Sequence, residues 1–364
     1  MRILQVITRS EPGGAQGVVR HLSEGLVAAG HEVAIAFGPE GGGSAWLGID
    51  SRVELILIPG LVRRPSLFRE LATLITLSAL YRSWKPSIVH LHTSKAAALG
   101  RLAPNVDRRR IVYTMHGYDQ IKKSNPGFLP FDKLLASRAA AIVAVSKADQ
   151  IAMVADGYPR VSVIFNGVPE QVGTVDPAIH QNVDDLRNRG LPLIFVIARD
   201  AVPKRLDLAC SVAKSLQDRA LLVWVGNSVP RPPGPGIVFV GPVLNAPSLL
   251  KTSDIFFLPS DHEGLPLSIL EAMARGVPAV ASAVGGVVEL LSNGGGVAIR
   301  NELEDIASAL RTLLDSQELR ERLGKQGRLN WAMRYSSTAM VNEYIIIYSA
   351  LAQARGVRLA RMDS

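Results

Sequence analysis

Two acidic side chains, Glu263 and Glu271, stand eight positions apart in the mostly apolar stretch "DHEGLPLSILEAMARGVP". Pro266 suits the first turn of a helix, and Gly276 with Pro278 marks that helix's end. Glu263 is thus expected in a loop and Glu271 inside the helix, separated by two turns at most, or about 12 Å. That is too far for carboxylates sharing a proton, and wider than the usual spacing in two-carboxylate glycosidases. The pair suits two points along one extended ligand. Between them, the backbone of Gly264, Leu265, Pro266 and Leu267 would lie at the positive end of the helix, where a phosphate fits. Glu271 is surrounded in sequence by Ile269, Leu270, Ala272 and Met273. A carboxylate in such surroundings needs polar partners, and ligand hydroxyls would supply them.

Cations stand at another suitable place. In "IARDAVPKR", Arg199 directly follows an apolar run, and Lys204 comes five residues later near the start of a helix. Together they could clamp a diphosphate, Arg199 by its fork and Lys204 as a point charge. Solvated loop charges are the plainer alternative. Gly13 and Gly14, in "SEPGGAQG", lack the Gly-x-Gly-x-x-Gly spacing of a dinucleotide fold. They still let backbone approach an anion at a helix N-terminus, although a tight turn explains them as well. His90 and His92 lie near a strand end, and His116 precedes a glycine in "TMHG". No His or Cys cluster of metal-binding spacing accompanies them, so neither a metal nor a cofactor is expected. His90 and His92 read as packed or hydrogen-bonded residues, and His116 as a side chain able to enter a cleft.

The elements that must position these residues alternate along the whole chain. "RILQVIT" is followed by a glycine loop, the helical "AQGVVRHLSEGLVAAG" and the strand "HEVAIAF", and later by "SIVHLHT", "RIVYTMHG" and "AAIVAVS". Such alternation predicts parallel sheets flanked by helices, with ligands bound at the carboxyl ends of the strands. The pattern breaks in the polar "VPEQVGTVDPAIHQNVDDLRNRG" and restarts with "LPLIFVIARD", "ALLVWVG", "GIVFVG", "SDIFFLPS" and "VPAVAS". Two Rossmann-like α/β domains are predicted, at 1–170 and 188–330, with the chain helical after Gly296. The remaining 331–364 reads as a helix crossing back to the first domain.

Length and composition agree. A chain of 364 residues exceeds one ordinary core, and it is 48% hydrophobic and 20% charged. No apolar run reaches the roughly 18–20 residues of a membrane span, and "MRILQVIT" reads as a first strand rather than a signal peptide. Cys210 is the single cysteine, which fits a reducing cytoplasm. The net charge of +8 suits anionic partners. Nucleic acid is not expected among them, because the basic residues are dispersed and no nucleic-acid motif interleaves them with aromatics. There is no Asp-x-Asp, no Gly-x-x-x-x-Gly-Lys-Ser/Thr and no Gly-x-Ser-x-Gly. A metal-dependent single-domain nucleotide-sugar enzyme, a P-loop NTPase and an α/β-hydrolase are therefore disfavoured.

Taken together, these residues resemble the retaining GT-B glycosyltransferases of family 4 (glycosyl transferases group 1), similar to those of bacterial surface-polysaccharide assembly. The resemblance rests on Glu-x7-Glu within "EGLPLSILEAMARGVPAVASAVGGVVE", through Gly285, Gly286 and Glu289. It is supported by "GGAQ", "IVHLHTSKAAALGR", "YTMHG", "AVSKA", "VIFNGV" and the Arg199/Lys204 pair, in that family's order. It implies two Rossmann-like domains with parallel sheets facing across a cleft. It further implies that Arg199 and Lys204 neutralise the donor diphosphate without a metal, and that Glu271 holds the donor ribose. By the same resemblance, Glu263 and the backbone of Gly264–Leu267 hold the transferred sugar, and Val243 lies near the base. Gly13 and Gly14 line the cleft, and His116 contacts the sugar. The implied reaction retains anomeric configuration, with a UDP-sugar the commonest donor and a glycan or lipid-linked acceptor. The family often has glycine where this chain has Ala198 and Arg205, and Gly-Phe-Gly where Gly-Leu-Pro follows Glu263.

"LVRRPSLFRELATLITLSALYRSWK" sets Arg63, Arg64 and Arg69 beside an apolar helix. It reads either as a core helix with a solvated basic start or as an interfacial helix on anionic lipid. The second reading places the protein in the cytoplasm, peripherally on the inner face of the plasma membrane. Two other functions share the fold: a GT-B nucleotide-sugar epimerase, and a non-catalytic nucleotide-sugar-binding or partner subunit.

Overall fold

The computed structural model describes residues 1–124 and 126–362, and in 354–362 the backbone alone. The chain forms two compact units, one of residues 1–167 with the stretch from Ser337 onward, the other Val168–Ser336.

In the first unit, seven parallel strands follow the order β3-β2-β1-β4-β5-β6-β7. They are β1 (Arg2–Ile7), β2 (Glu32–Phe37), β3 (Glu54–Leu57), β4 (Ile88–Leu91), β5 (Ile111–Met115), β6 (Ala141–Ala144) and β7 (Val161–Val163). The central strands are buried on both faces, as a parallel sheet between helix layers requires. The register sets Gln5 opposite His90, and His90 opposite Val112.

The second unit has six parallel strands in the order β10-β9-β8-β11-β12-β13. They are β8 (Leu193–Ile197), β9 (Leu221–Val225), β10 (Ile237–Gly241), β11 (Ile255–Leu258), β12 (Ala279–Ser282) and β13 (Gly296–Ile299). Both sheets begin at their centre, run to one edge, then return to build the other side. The order reverses between β1 and β4 in one unit and between β8 and β11 in the other. At such switch points, adjacent connections leave toward opposite faces and open a crevice at the strands' carboxyl ends.

Several expectations are corrected. The segment 168–190 is not irregular, because it holds the helix Pro177–Arg187, capped by the Asp176 carboxylate on the Ala178 amide at 2.8 Å. Its apolar stripe is only Ile179, Val183 and Leu186, and Val183 alone of the helix is fully buried. The chain is not purely helical after Gly296, since the half-buried β13 comes first. The boundary falls at Gly167/Val168, and residues 331–336 stay with the second unit. There the Val168 amide donates to the Tyr335 carbonyl at 3.0 Å, and the Trp331 indole donates to the Val168 carbonyl at 3.1 Å. The helix that begins at Ser337 belongs to the first unit, where Val341 packs over Gly25 in the space a Cβ would fill. Residues 363–364 lie outside the described residues.

Candidate functional site

In the second unit, Arg199 and Lys204 follow β8, while Ser260 and Glu263 follow β11, so they flank the switch point. Residues 203–205 run antiparallel to 259–261: the Arg205 amide donates to the Pro259 carbonyl at 3.1 Å, and the Asp261 amide to the Pro203 carbonyl at 2.9 Å. This pairing carries Lys204 to Glu263, and the ammonium forms an ion pair with Glu263 Oε1. The same oxygen accepts the Ser260 hydroxyl at 2.6 Å. Both charged side chains are largely buried, at 18% and 11% exposure, so the pair is poorly screened by solvent. Arg199, five residues before Lys204, is exposed. The neighbouring Arg205 is engaged by Asp207 at 2.6 Å and Asp261 at 3.3 Å, which draws it into a separate charge cluster.

A polar scaffold holds the Glu263 loop. The Ser260 amide donates to Ser282 Oγ at 2.7 Å, and the Ser282 hydroxyl donates to Asn301 Oδ1 at 2.5 Å. Asn301 Nδ2 returns to the Ser260 carbonyl at 2.9 Å. Gly285 closes the loop from the other side. Its φ is +51°, and a Cβ there would stand 1.8 Å from the Glu263 carbonyl oxygen. The next amide, of Gly286, donates to the Gly264 carbonyl at 2.9 Å. Ser260, Ser282 and Asn301 carried no sequence signal. The adjacent glycines did stand out in "VGGVVE", but their steric reason needed the fold.

The helix spans Leu267–Met273, so Pro266 is its N-cap rather than part of its first turn. Leu265 and Pro266 are buried beneath the loop, and Gly264 is half-buried. Glu271 lies half-buried on this helix, whose Ile269, Leu270, Ala272 and Met273 are buried. Desolvation pushes its carboxyl up to about 7, opposed by the Arg275 charge. Arg275 spends one guanidinium nitrogen on the Glu271 backbone carbonyl at 2.9 Å, and its Nε is buried without a partner. A carboxyl so placed is stabilised by any ligand hydroxyl that donates to it. Val243 is half-buried in the loop after β10, two strands from the switch point. A cavity of about 420 Å³ in this unit, lined by Ala298, Arg300, Asp305 and Thr312 among others, includes none of these residues.

The first unit presents different chemistry at its own switch point. Gly13 caps the helix Gly14–Ala28 after β1 with no side-chain hydrogen bond. A Cβ on Gly14 would have nothing within 4 Å, so the fold itself does not demand a glycine there. His90, His92 and His116 form one group at the ends of β4 and β5, His90 and His92 buried and His116 half-buried. His90 bonds to Tyr348 at 2.6 Å and Thr114 at 2.7 Å, and His92 to Gln5 at 2.5 Å and His116 at 3.1 Å. Burial lowers all three imidazoles: His116 to about 4, His90 and His92 well below the ordinary range. They are neutral at physiological pH. Among the described residues, no group of three or more His, Cys, Asp or Glu is arranged to hold a metal. No helix among them is long and apolar enough to cross a membrane.

Comparison with known proteins bears directly on this arrangement. Residues 12–172 match the profile of Glycosyltransferase Family 4, and residues 181–330 match that of Glycosyl transferases group 1. A UDP-Gal:alpha-D-GlcNAc-diphosphoundecaprenol alpha-1,3-galactosyltransferase of Escherichia coli is 28% identical over 74% of this chain and 77% of its own. The O-antigen biosynthesis glycosyltransferase WbnH, also of Escherichia coli, is 26% identical over 95% and 97%. Among solved structures, sucrose-phosphate synthase of Thermosynechococcus elongatus superposes with a TM-score of 0.82 at 18% identity, covering 97% of this chain and 100% of that one. The Anabaena protein HepE in complex with UDP-glucose gives 0.80 at 19% identity, covering 96% and 100%.

Proposed function

The chain belongs to the GT-B glycosyltransferases of family 4 and group 1, and on that premise we propose a metal-independent, retaining transfer from a UDP-sugar to a lipid-linked glycan. The observation that carries this reading is the Lys204–Glu263 ion pair at the switch point, with Arg199 in the same loop as Lys204 and Glu271 on the helix after Glu263. A diphosphate arriving at the end of β8 would be met by Lys204, with Arg199 of the same loop as the second cation. Lys204 then exchanges Glu263 for phosphate, which frees the Glu263 carboxylate to accept sugar hydroxyls. Glu271 accepts the ribose hydroxyls, Val243 lies against the base, and the backbone of Gly264–Leu267 borders the sugar and phosphates.

The bond from the sugar's anomeric carbon to the diphosphate breaks, and negative charge grows on the departing phosphate. Arg199 and Lys204 stabilise that charge from fixed positions, which is where most of the rate would arise. The acceptor hydroxyl bonds to the same face of the sugar as its proton passes to the departing phosphate oxygen. Configuration is thereby retained. Support for UDP comes from the UDP-Gal named for the Escherichia coli relative and the UDP-glucose bound by HepE. Support for a lipid-linked acceptor comes from the diphosphoundecaprenol in that relative's name and in an N-acetylgalactosaminyltransferase of Campylobacter jejuni.

We assign the membrane contact to the helix Leu67–Trp84. Thr73, Leu77, Tyr81 and Trp84 bury one face in the first unit's core. Leu67, Phe68, Leu71 and Ile75 point outward at 82%, 85%, 56% and 63% exposure, and Arg63, Arg64 and Arg69 are exposed next to them. An apolar stripe edged by arginines suits the anionic inner face of a cell membrane. Flotation with phosphatidylglycerol vesicles should succeed, and it should fail with phosphatidylcholine alone or with Phe68→Glu and Ile75→Glu together. Binding indifferent to both changes refutes the contact.

The enzymatic reading is tested with a panel of UDP-, GDP- and ADP-sugars, scored for thermal stabilisation and slow donor hydrolysis. Ligand bound to the native state raises the melting temperature. A UDP-sugar should stabilise most. If no nucleotide sugar stabilises the protein, the reading is wrong.

A further inference from the structure

Across β1, β4 and β5, at the end of the first unit's sheet, one chain of hydrogen bonds decides which nitrogen of His116 carries a proton. Gln5 Oε1 lies 2.5 Å from His92 Nε2, and a carbonyl oxygen can only accept, so His92 Nε2 is the donor. Burial keeps His92 neutral, and a neutral imidazole has a single N–H. His92 Nδ1 is therefore an acceptor. His116 Nε2, 3.1 Å away, must donate to it. The lone pair of His116 is thereby left on Nδ1, which is buried and without a partner. The opposite end of the Gln5 amide turns toward the Tyr348 hydroxyl, short of a well-aligned hydrogen bond. Tyr348 in turn holds His90 Nδ1 at 2.6 Å. The amide is thus held through its oxygen, by His92.

An unpartnered buried nitrogen costs free energy that the native state bears unless something fills the position. We propose that Gln5 and His92 are positioning residues that lock His116 in its Nε2–H tautomer, offering Nδ1 as an acceptor to a hydroxyl of the bound sugar. The proposal rests on the glycosyl-transfer reading for the identity of the ligand, and on the hydrogen-bond chain alone for the tautomer. The lock matters because a mobile proton would present a donor at Nδ1 for part of the time. A sugar hydroxyl would then have to rotate, losing its own hydrogen bond elsewhere.

Nitrogen NMR of the histidine-labelled full chain reads the tautomer directly, with His116→Gln identifying the resonances. The expected signature is a protonated Nε2 and an unprotonated Nδ1, with Nδ1 moving on addition of UDP-glucose or UDP-galactose but not of UDP. A protonated Nδ1 in the free protein overturns the proposal whether or not any donor binds. If a nucleotide sugar stabilises the protein yet leaves Nδ1 unmoved, the sugar contact is wrong while glycosyl transfer stands. If none stabilises it, glycosyl transfer falls and the tautomer result still decides the lock.

Two substitutions separate positioning from packing. Gln5→Glu keeps an acceptor against His92 and should retain kcat within about threefold. Gln5→Met keeps shape without an acceptor and should lower kcat about tenfold, the size of one lost hydrogen bond. It should also mix the His116 tautomers. A packing role alone predicts the reverse order, because methionine suits a buried site better than a carboxylate. That reverse order, measured per folded molecule, overturns the proposal.

Discussion

The two carboxyl ends use one topology for different chemistry. Each unit starts its sheet at the centre and reverses direction between its first and fourth strands. In the second unit that reversal holds an ion pair, Lys204 against Glu263, and the loop that carries Lys204 begins with the exposed Arg199. In the first it holds three imidazoles that burial keeps neutral, together with Arg9 after β1, ion-paired with Glu11, and Lys95 after β4, ion-paired with Glu70. The Rossmann-like sheet supplies the location, and the side chains that follow the first and fourth strands supply the chemistry.

The sharpest way to break this contrast is Lys204→Ala. It removes a fixed positive charge where the leaving group develops, and kcat should fall about 10²–10³-fold. Unchanged turnover per folded molecule would make the ion pair purely structural. Gly285→Ala attacks the same end through shape. Its Cβ cannot coexist with the Glu263 carbonyl 1.8 Å away, and φ of +51° is strained for alanine. It should destabilise the protein by about 1–3 kcal/mol and lower activity together, read by thermal melts and initial rates.

Glu271 gives the contrast a pH signature. Burial raises its carboxyl from 4.5 to about 7, so the native state keeps a proton that the unfolded chain releases across that window. Stability should therefore fall as pH rises from about 4.5 to 7, and Glu271→Gln should flatten that slope. Donor affinity should run the other way, because the ionised carboxylate is the better acceptor for ribose hydroxyls. At pH 8 the Gln variant should bind donor about tenfold more weakly. Parallel calorimetry at pH 5 and pH 8 checks both signs.

What the sequence disclosed divides along similar physical lines. The long central strands were legible as apolar runs, because parallel strands buried on both faces need them. The edges were not. Of β3 only Ile56 is even half-buried, β7 is three residues long, and β13 is half-buried throughout, so none leaves a strong pattern. In the site, Arg199, Lys204, Glu263 and Glu271 stood out because charge beside apolar runs is conspicuous. Ser260, Ser282 and Asn301 did not, since their roles exist only once β11 and β12 lie side by side. Gln5 was invisible for the same reason, its partner lying 87 positions away.

The smallest expected effect isolates the first unit's loop. Gly13 and Gly14 are neighbours, but only Gly13 is crowded, with Gln16 Oε1 2.8 Å from where its Cβ would stand. Gly14 opens a helix, has clear space around it, and gains helix propensity when replaced by alanine, by up to about 1 kcal/mol. Gly14→Ala should therefore leave the melting temperature unchanged or slightly raised. If ligand approaches that backbone, the added methyl should raise donor KM a few-fold while kcat changes little. Unchanged KM would mean that the glycine serves the turn alone, and the ligand contacts of this end would shrink to His116 and its neighbours. A lowered melting temperature would instead show a steric demand at Gly14 that the free space around it does not predict.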